Sequence, residues 1–186
     1  MRVAVVGLGG AGAQAARLLA EEGHDVTGFE RHRLGHDRGS SHGASRIIRY
    51  AYEDALYTRL TRRARALWDE LEASAGEELF VRCGGVTLGP RDHPRMARVR
   101  EAMASERVPF EGLSPAAVAE RFPAIRLRDG EAALYQADGG FLRASRCVAA
   151  AWRLARASGA ALHEGESVAS IAWRGGRAVV ATSGGE

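Results

Sequence analysis

The chain has 186 residues, a formal net charge of +3 and 46% hydrophobic residues, enough for one ordinary domain or most of a two-part enzyme core. No apolar run approaches membrane-spanning length and the N-terminus lacks the apolar stretch of a secretory signal, which predicts a cytoplasmic chain without a membrane partner. All 26 basic residues are arginines, interspersed with acids, so the excess charge does not read as a nucleic-acid surface.

Residues 2–6 form a short β-branched apolar run, the pattern of a strand buried on both faces. Gly7, Gly9 and Gly12 follow at once in the order G-x-G-x-x-G. Residues 13–22 then read as a helix, with Gly23 as its C-cap. A second strand, residues 25–29, ends at Glu30. Each glycine meets a separate physical need. Gly7 permits a tight turn, Gly9 lets the backbone approach a pyrophosphate, and Gly12 lets helix and strand pack closely. The helix N-terminus offers free N–H groups and a positive dipole end to phosphates. Glu30 stands where a carboxylate accepts hydrogen bonds from a ribose diol. An acid there argues against a 2′-phosphate, so NAD or FAD is favoured over NADP.

Residues 31–39 are polar, with His32, His36 and Asp37 in a spacing that fits no helical or hairpin set of metal ligands, and read as a solvated loop without a metal. Residues 39–43 (GSSHG) are rich in glycine and hydroxyls, suited to wrapping a polar cofactor group. Arg46 and Arg49 follow. In an extended chain their odd spacing puts them on opposite faces; in a helix they share one. Either arginine could instead pair with a surface acid.

Residues 53–75 give the strongest helical period in the chain, carried by Leu56, Leu60, Ala64, Leu67, Trp68 and Leu71 as a core stripe. Two short strands are expected around Phe80-Val81 and residues 86–88, and a second amphipathic helix over 94–106. Ser114-Pro115 opens a short helix to Arg121 by cap-then-proline logic. Residues 132–136 read as a strand, 138–140 as a turn, 143–158 as a helix and 160–163 as a strand. Residues 168–173 and 178–182, joined by Gly175-Gly176, carry a hairpin signal. Cys83 and Cys147 match neither a CxxC pair nor a zinc spacing and read as reduced structural thiols.

The expected fold class is therefore α/β: a Rossmann-like dinucleotide-binding domain with a parallel sheet and a hairpin, interrupted by an α+β substrate-side region. The boundaries read as 1–50 and 144–186 for the first, and 51–143 for the second. A doubly wound sheet would need a further strand after the hairpin, so the chain reads as truncated at its C-terminus.

The stretches VAVVGLGGAGAQAARLLAEEGHDVTGFE at 3–30 and GSSHGASRIIRYAY at 39–52 resemble the FAD-dependent amine oxidases related to D-amino acid oxidase. The likeness is strongest to the branch of monomeric sarcosine oxidase and N-methyltryptophan oxidase. GGVTLGP at 84–90 adds support. The resemblance implies FAD as cofactor, with Gly7, Gly9, Gly12 and Glu30 at its diphosphate and ribose. It also implies that Ser40, Ser41 and His42 form the loop approaching the cofactor. Arg46 and Ile47 would lie beside the isoalloxazine ring, Val168 near the adenine, and Arg49 on the substrate carboxylate. The implied reaction oxidises the carbon–nitrogen bond of a secondary or N-methyl amino acid, with oxygen as co-substrate and imine-derived products and hydrogen peroxide formed by a monomer. Pipecolate, proline or a D-amino acid are alternative substrates, and a truncated non-catalytic nucleotide-binding remnant is an alternative of another class. The branch attaches its flavin through a cysteine in a context that neither Cys83 nor Cys147 shares, and its oxygen-activating lysine has no counterpart in a chain without lysine.

Overall fold

A computed structural model describes residues 1–184. In chain order the elements are β1 (Arg2–Val6), α1 (Gly10–Glu21), β2 (Asp25–Glu30), β3 (Arg46–Ile48), α2 (Ala55–Ala75), β4 (Phe80–Arg82), β5 (Gly85–Pro90) and α3 (Pro94–Ser105). They continue with β6 (Glu111–Leu113), α4 (Pro115–Arg121), β7 (Glu131–Gln136), β8 (Gly140–Leu142), α5 (Ala144–Ala157), β9 (Ala161–Glu164), β10 (Val168–Arg174) and β11 (Arg177–Thr182). The fold is mixed α/β, and its contacts divide into two compact units.

The first unit comprises Met1–Ser45, Ala73–Leu79 and the chain from Arg143 onward. Its parallel sheet has the order β1-β2-β9, with Arg2 opposite Asp25 and Glu30 opposite Glu164. Helices α1 and α5 pack together through small residues. Ala13, Ala16 and Ala20 of α1 join Ala151, Trp152 and Ala155 of α5 and Val26 of β2 in one buried cluster. Alanines on both sides bring the helix axes close, and burying their methyls with Trp152 supplies the apolar area that stabilises the layer. β10 and β11 form a separate antiparallel ribbon. Its turn residues Gly175 and Gly176 have φ of 57° and 75°, the backbone that a two-residue hairpin turn requires.

The second unit comprises Arg46–Glu72 and Phe80–Leu142. Two three-stranded antiparallel sheets, β5-β7-β6 and β3-β8-β4, carry it. Tyr50, Met96, Val99, Met103 and Leu134 are among its buried core. Capping follows the sequence: Ser114 Oγ accepts the Ala117 N–H at 3.2 Å, and His93 Nδ1 accepts the Arg95 N–H at 3.1 Å ahead of Pro94.

Three expectations are corrected here. Residues 138–140 were expected as a turn, but Gly140 belongs to β8, where a Cβ would lie 2.1 Å from the Val81 carbonyl oxygen; its glycine serves strand approach. The apolar stripe of α2 is buried only in part: Leu71 is fully buried, whereas Leu56 and Leu60 are about half exposed, at 51% and 53%. Cys147 is buried, but Cys83 is exposed and so is not a packing thiol.

Candidate functional site

The turn after β1 is built from three constraints. Gly7 has φ of 83°, a conformation that L side chains avoid, and its N–H donates to the Phe29 carbonyl at 2.8 Å. A Cβ on Gly12 would stand 1.8 Å from the Gly7 carbonyl oxygen and 3.5 Å from Val5 Cγ1. Only hydrogen fits where α1 crosses β1. Gly9 is the N-cap of α1 and has no side chain with which to cap it, so the first amides of the helix face outward. One of them, Gly10 N–H, donates to Ser41 Oγ at 2.9 Å.

Leu8, at the apex of this turn, is held on both peptide groups. Its N–H donates to Glu30 Oε2 at 3.0 Å, and its carbonyl accepts the Trp152 indole N–H at 2.8 Å. Glu30 is buried and its other oxygen accepts the His32 N–H at 3.1 Å. The His36 ring nitrogen Nε2 lies 3.6 Å from the same oxygen. Trp152 was not among the residues expected from the sequence to serve the site. Its signal was present, an indole on the helix that follows the inserted region, but the partner is a backbone carbonyl 144 residues away.

The loop 39–43 is docked on the start of α5. Gly43 O accepts the Ser145 N–H and hydroxyl at 3.2 and 3.0 Å, and Ala44 O accepts the Ala144 N–H at 3.3 Å. Within the loop, His42 Nδ1 is bonded to the Gly39 carbonyl. A cleft of about 700 Å³ runs across these parts. Gly7, Gly9, Gly12, Glu30, Ser40, Ser41, His42 and Val168 all line it, with Trp152 at its wall.

The second unit holds the remaining residues named from the sequence. Arg46 and Ile47 lie in β3, paired with Leu142 and Phe141 of β8, and Ile47 is 80% exposed. Arg49 follows the strand and is exposed, its guanidinium 5.2 Å from the centre of the Tyr52 ring. Ile47 and Arg49 line a second cavity of about 520 Å³, together with Val86, Leu88, Met96, Phe141 and Gln136. Arg95, also in that lining, is paired with Glu53 at 2.9 Å. No carboxylate partner stands beside Arg49 among the described residues. Arg46 is in the lining of neither cavity.

A glycine turn that admits no Cβ at Gly12, a helix start without a side-chain cap and a buried acid at the end of the second strand define the Rossmann-type dinucleotide-binding class. The donor set fits the diphosphate and ribose of FAD: backbone amides and a hydroxyl for the anion, a carboxylate for a diol. Residues 2–186 match the family model described as FAD dependent oxidoreductase, and the chain belongs to that family. It is 40% identical over 158 residues to the N-methyl-L-tryptophan oxidase of Salmonella arizonae, an alignment covering 84% of this chain and 42% of the relative. Among solved structures, NikD, described as an unusual amino acid oxidase essential for nikkomycin biosynthesis, superposes with a TM-score of 0.87 at 30% identity. That superposition covers 98% of this chain and 47% of NikD. The L-proline dehydrogenase of P. horikoshii gives a TM-score of 0.87 at 25% identity, over 99% of this chain and 49% of its own. The chain thus spans less than half the length of these relatives. Among the described residues, no helix is long and apolar enough to cross a membrane.

Proposed function

We propose that this chain carries the FAD-holding and carboxylate-holding residues of an enzyme that oxidises the carbon–nitrogen bond of a secondary or N-methyl amino acid. The observation that supports this reading best is Arg49. It is an arginine lining a cavity that also holds Ile47, Val86, Leu88, Met96 and Phe141, with no carboxylate partner of its own among the described residues. A guanidinium keeps its charge under partial burial and presents a fixed fork to a carboxylate. The apolar members of that lining suit the carbon skeleton of an amino acid held by the fork.

In this reading Gly7, Gly9 and Gly12 with the start of α1 hold the diphosphate, and Glu30 the ribose. Ser40, Ser41 and His42 close the loop over the cofactor, and Val168 borders the adenine. Arg46 sets a fixed positive charge beside the flavin, and Ile47 covers it. When bound, FAD supplies the acceptor for the hydride equivalents leaving the substrate carbon. Apart from Arg49, residues 1–50 and 144–186 serve the cofactor, and 51–143 the substrate. Oxygen is the terminal oxidant, and the working form is a monomer in the cytoplasm.

The test is a peroxide assay of the full-length gene product, loaded with FAD, over a panel of N-methyl amino acids and matched amines without a carboxylate. Turnover is expected for the acids. Arg49→Ala should raise the Michaelis constant for them on the order of 100-fold while leaving flavin content intact. Absence of peroxide from every amino acid, or unchanged Arg49→Ala kinetics, would overturn the reading.

A further inference from the structure

Tyr50, the residue after Arg49, is held by two buried polar side chains from different elements. Gln136, at the end of β7, accepts the Tyr50 N–H on Oε1 at 3.1 Å. Thr58, in the first turn of α2, donates its hydroxyl to the Tyr50 carbonyl at 3.0 Å. Gln136 is 2% exposed and Thr58 fully buried. The second end of the Gln136 amide is also engaged, its Nε2 donating to Met103 Sδ at 2.8 Å.

An amide and a hydroxyl without solvent are costly in a core unless every bond they make is useful. Packing alone does not require them, since a methionine and a valine have nearly the same shapes. Their bonds converge on one short backbone stretch instead. The Tyr50 N–H belongs to the peptide unit that begins at the Arg49 carbonyl, so Gln136 fixes the plane immediately after the arginine's Cα. The Tyr50 carbonyl also accepts the Tyr52 N–H at 2.9 Å. That closes a tight turn which brings the Tyr52 ring to the Arg49 guanidinium.

We infer that Gln136 and Thr58 are positioning residues for Arg49: they lock the backbone on its C-terminal side and so aim its guanidinium into the cavity. Arg49 itself lies outside regular secondary structure, just past the end of β3. Without a strand ladder or helix to orient it, the aim depends on these two side chains. This inference rests on the reading of Arg49 as the carboxylate-binding group.

The test compares equilibrium binding of methoxyacetate, which has an ether oxygen in place of the oxidisable amine of N-methylglycine, and of its carboxamide to the full-length, flavin-loaded protein by calorimetry, alongside thermal unfolding. Arg49→Ala should abolish the preference for the acid. Thr58→Val, which keeps shape and deletes the hydroxyl, should weaken the acid about 10-fold and leave the carboxamide unchanged. Thr58→Ser should restore binding of the acid, and Gln136→Met should reproduce the valine effect. Equal weakening of both ligands by Thr58→Val, or no weakening of either, would overturn the positioning role while Arg49→Ala still upholds the functional reading. If Arg49→Ala itself spares the preference, the reading falls and the inference falls with it.

Discussion

The indole N–H of Trp152 donates a 2.8 Å hydrogen bond to the carbonyl oxygen of Leu8. Trp152 lies in the middle of α5 and Leu8 at the apex of the turn between β1 and α1, so the bond ties the cofactor turn to the helix behind it. Both residues are almost fully buried. With Glu30 on the opposite peptide group, the apex is fixed on two sides and the amides that follow it are preorganised. Preorganised donors avoid an ordering cost when an anion binds.

Replacing Trp152 with phenylalanine keeps most of the apolar volume and removes the donor, leaving the Leu8 carbonyl buried and unmatched. The expected loss is about 1–3 kcal/mol of stability, read as a lowered unfolding temperature. Titration with FAD, followed by flavin fluorescence, should show weaker binding as well. Wild-type affinity in a destabilised variant would show that the bond serves folding alone.

The glycines of the turn should differ sharply in their tolerance of alanine. At Gly12 the new Cβ would stand 1.8 Å from the Gly7 carbonyl oxygen, and because backbone must move, a cost above about 3 kcal/mol is expected. Gly7 has open space around a Cβ but a φ of 83°, so about 1–2 kcal/mol is expected from conformation alone. Gly10 would meet the Ser41 hydroxyl at 3.1 Å, a side chain that can shift, and Gly10→Ala should stay within about 0.5 kcal/mol. Chemical denaturation of the three variants checks the order, and a Gly12→Ala protein as stable as Gly10→Ala would refute it.

What was legible in the sequence was whatever is encoded locally. β1, β2, the run from Pro94 and the Gly175-Gly176 hairpin follow from periodicity, capping and turn chemistry within a few residues. β3, β6 and β8 are three residues each and exist because distant strands pair with them, which no local pattern records. Gly140 shows the difficulty, since a glycine beside Asp138 and Gly139 carries the composition of a turn. The half-exposed Leu56 and Leu60 show the opposite failure, a helical period that is real but does not determine burial. In the site, the motif and Glu30 were readable from spacing, whereas Trp152 and Gln136 act through backbone groups far away in sequence, and Thr58 reaches back only to Tyr50 but sits on a helical period that says nothing of a backbone partner.

Acid should destabilise the first unit through Glu164. The Leu34 N–H, at 2.8 Å, and then Arg156, at 3.2 Å, hold its carboxyl below the ordinary value of 4.5 against the opposing effect of burial. A carboxylate whose folded value is depressed stabilises the fold fully above the unfolded value, and loses that contribution as pH falls through the folded one. Stability of the native chain should therefore decline below about pH 4.5. In Glu164→Gln that decline should be shallower and stability at neutral pH lower. Denaturant midpoints measured across this range test the slope, and parallel curves for the two proteins would exclude Glu164 as a contributor.

Glu30 has a structural role in the turn and a proposed one at the ribose, and a pair of substitutions separates them. Its two oxygens accept N–H groups from Leu8 and His32, while the same carboxylate lines the cleft where a ribose diol would donate to it. A carboxylate accepts on both oxygens; a carboxamide accepts on one and donates from the other. Glu30→Gln must therefore turn an NH₂ toward either the buried Leu8 N–H or the part-buried His32 N–H, leaving one of these donors without its partner. A loss of about 1–3 kcal/mol is expected, together with weaker FAD binding. Glu30→Asp keeps the charge but shortens the reach, so one of the two N–H bonds should lengthen while the acceptor chemistry survives. If the turn matters more than the ribose, Glu30→Asp and Glu30→Gln should lose FAD affinity in proportion to their lost stability. If the ribose contact matters in its own right, Glu30→Gln should bind FAD more weakly than an equally destabilised Glu30→Asp. Flavin fluorescence titration and thermal unfolding, measured on both variants, distinguish the two.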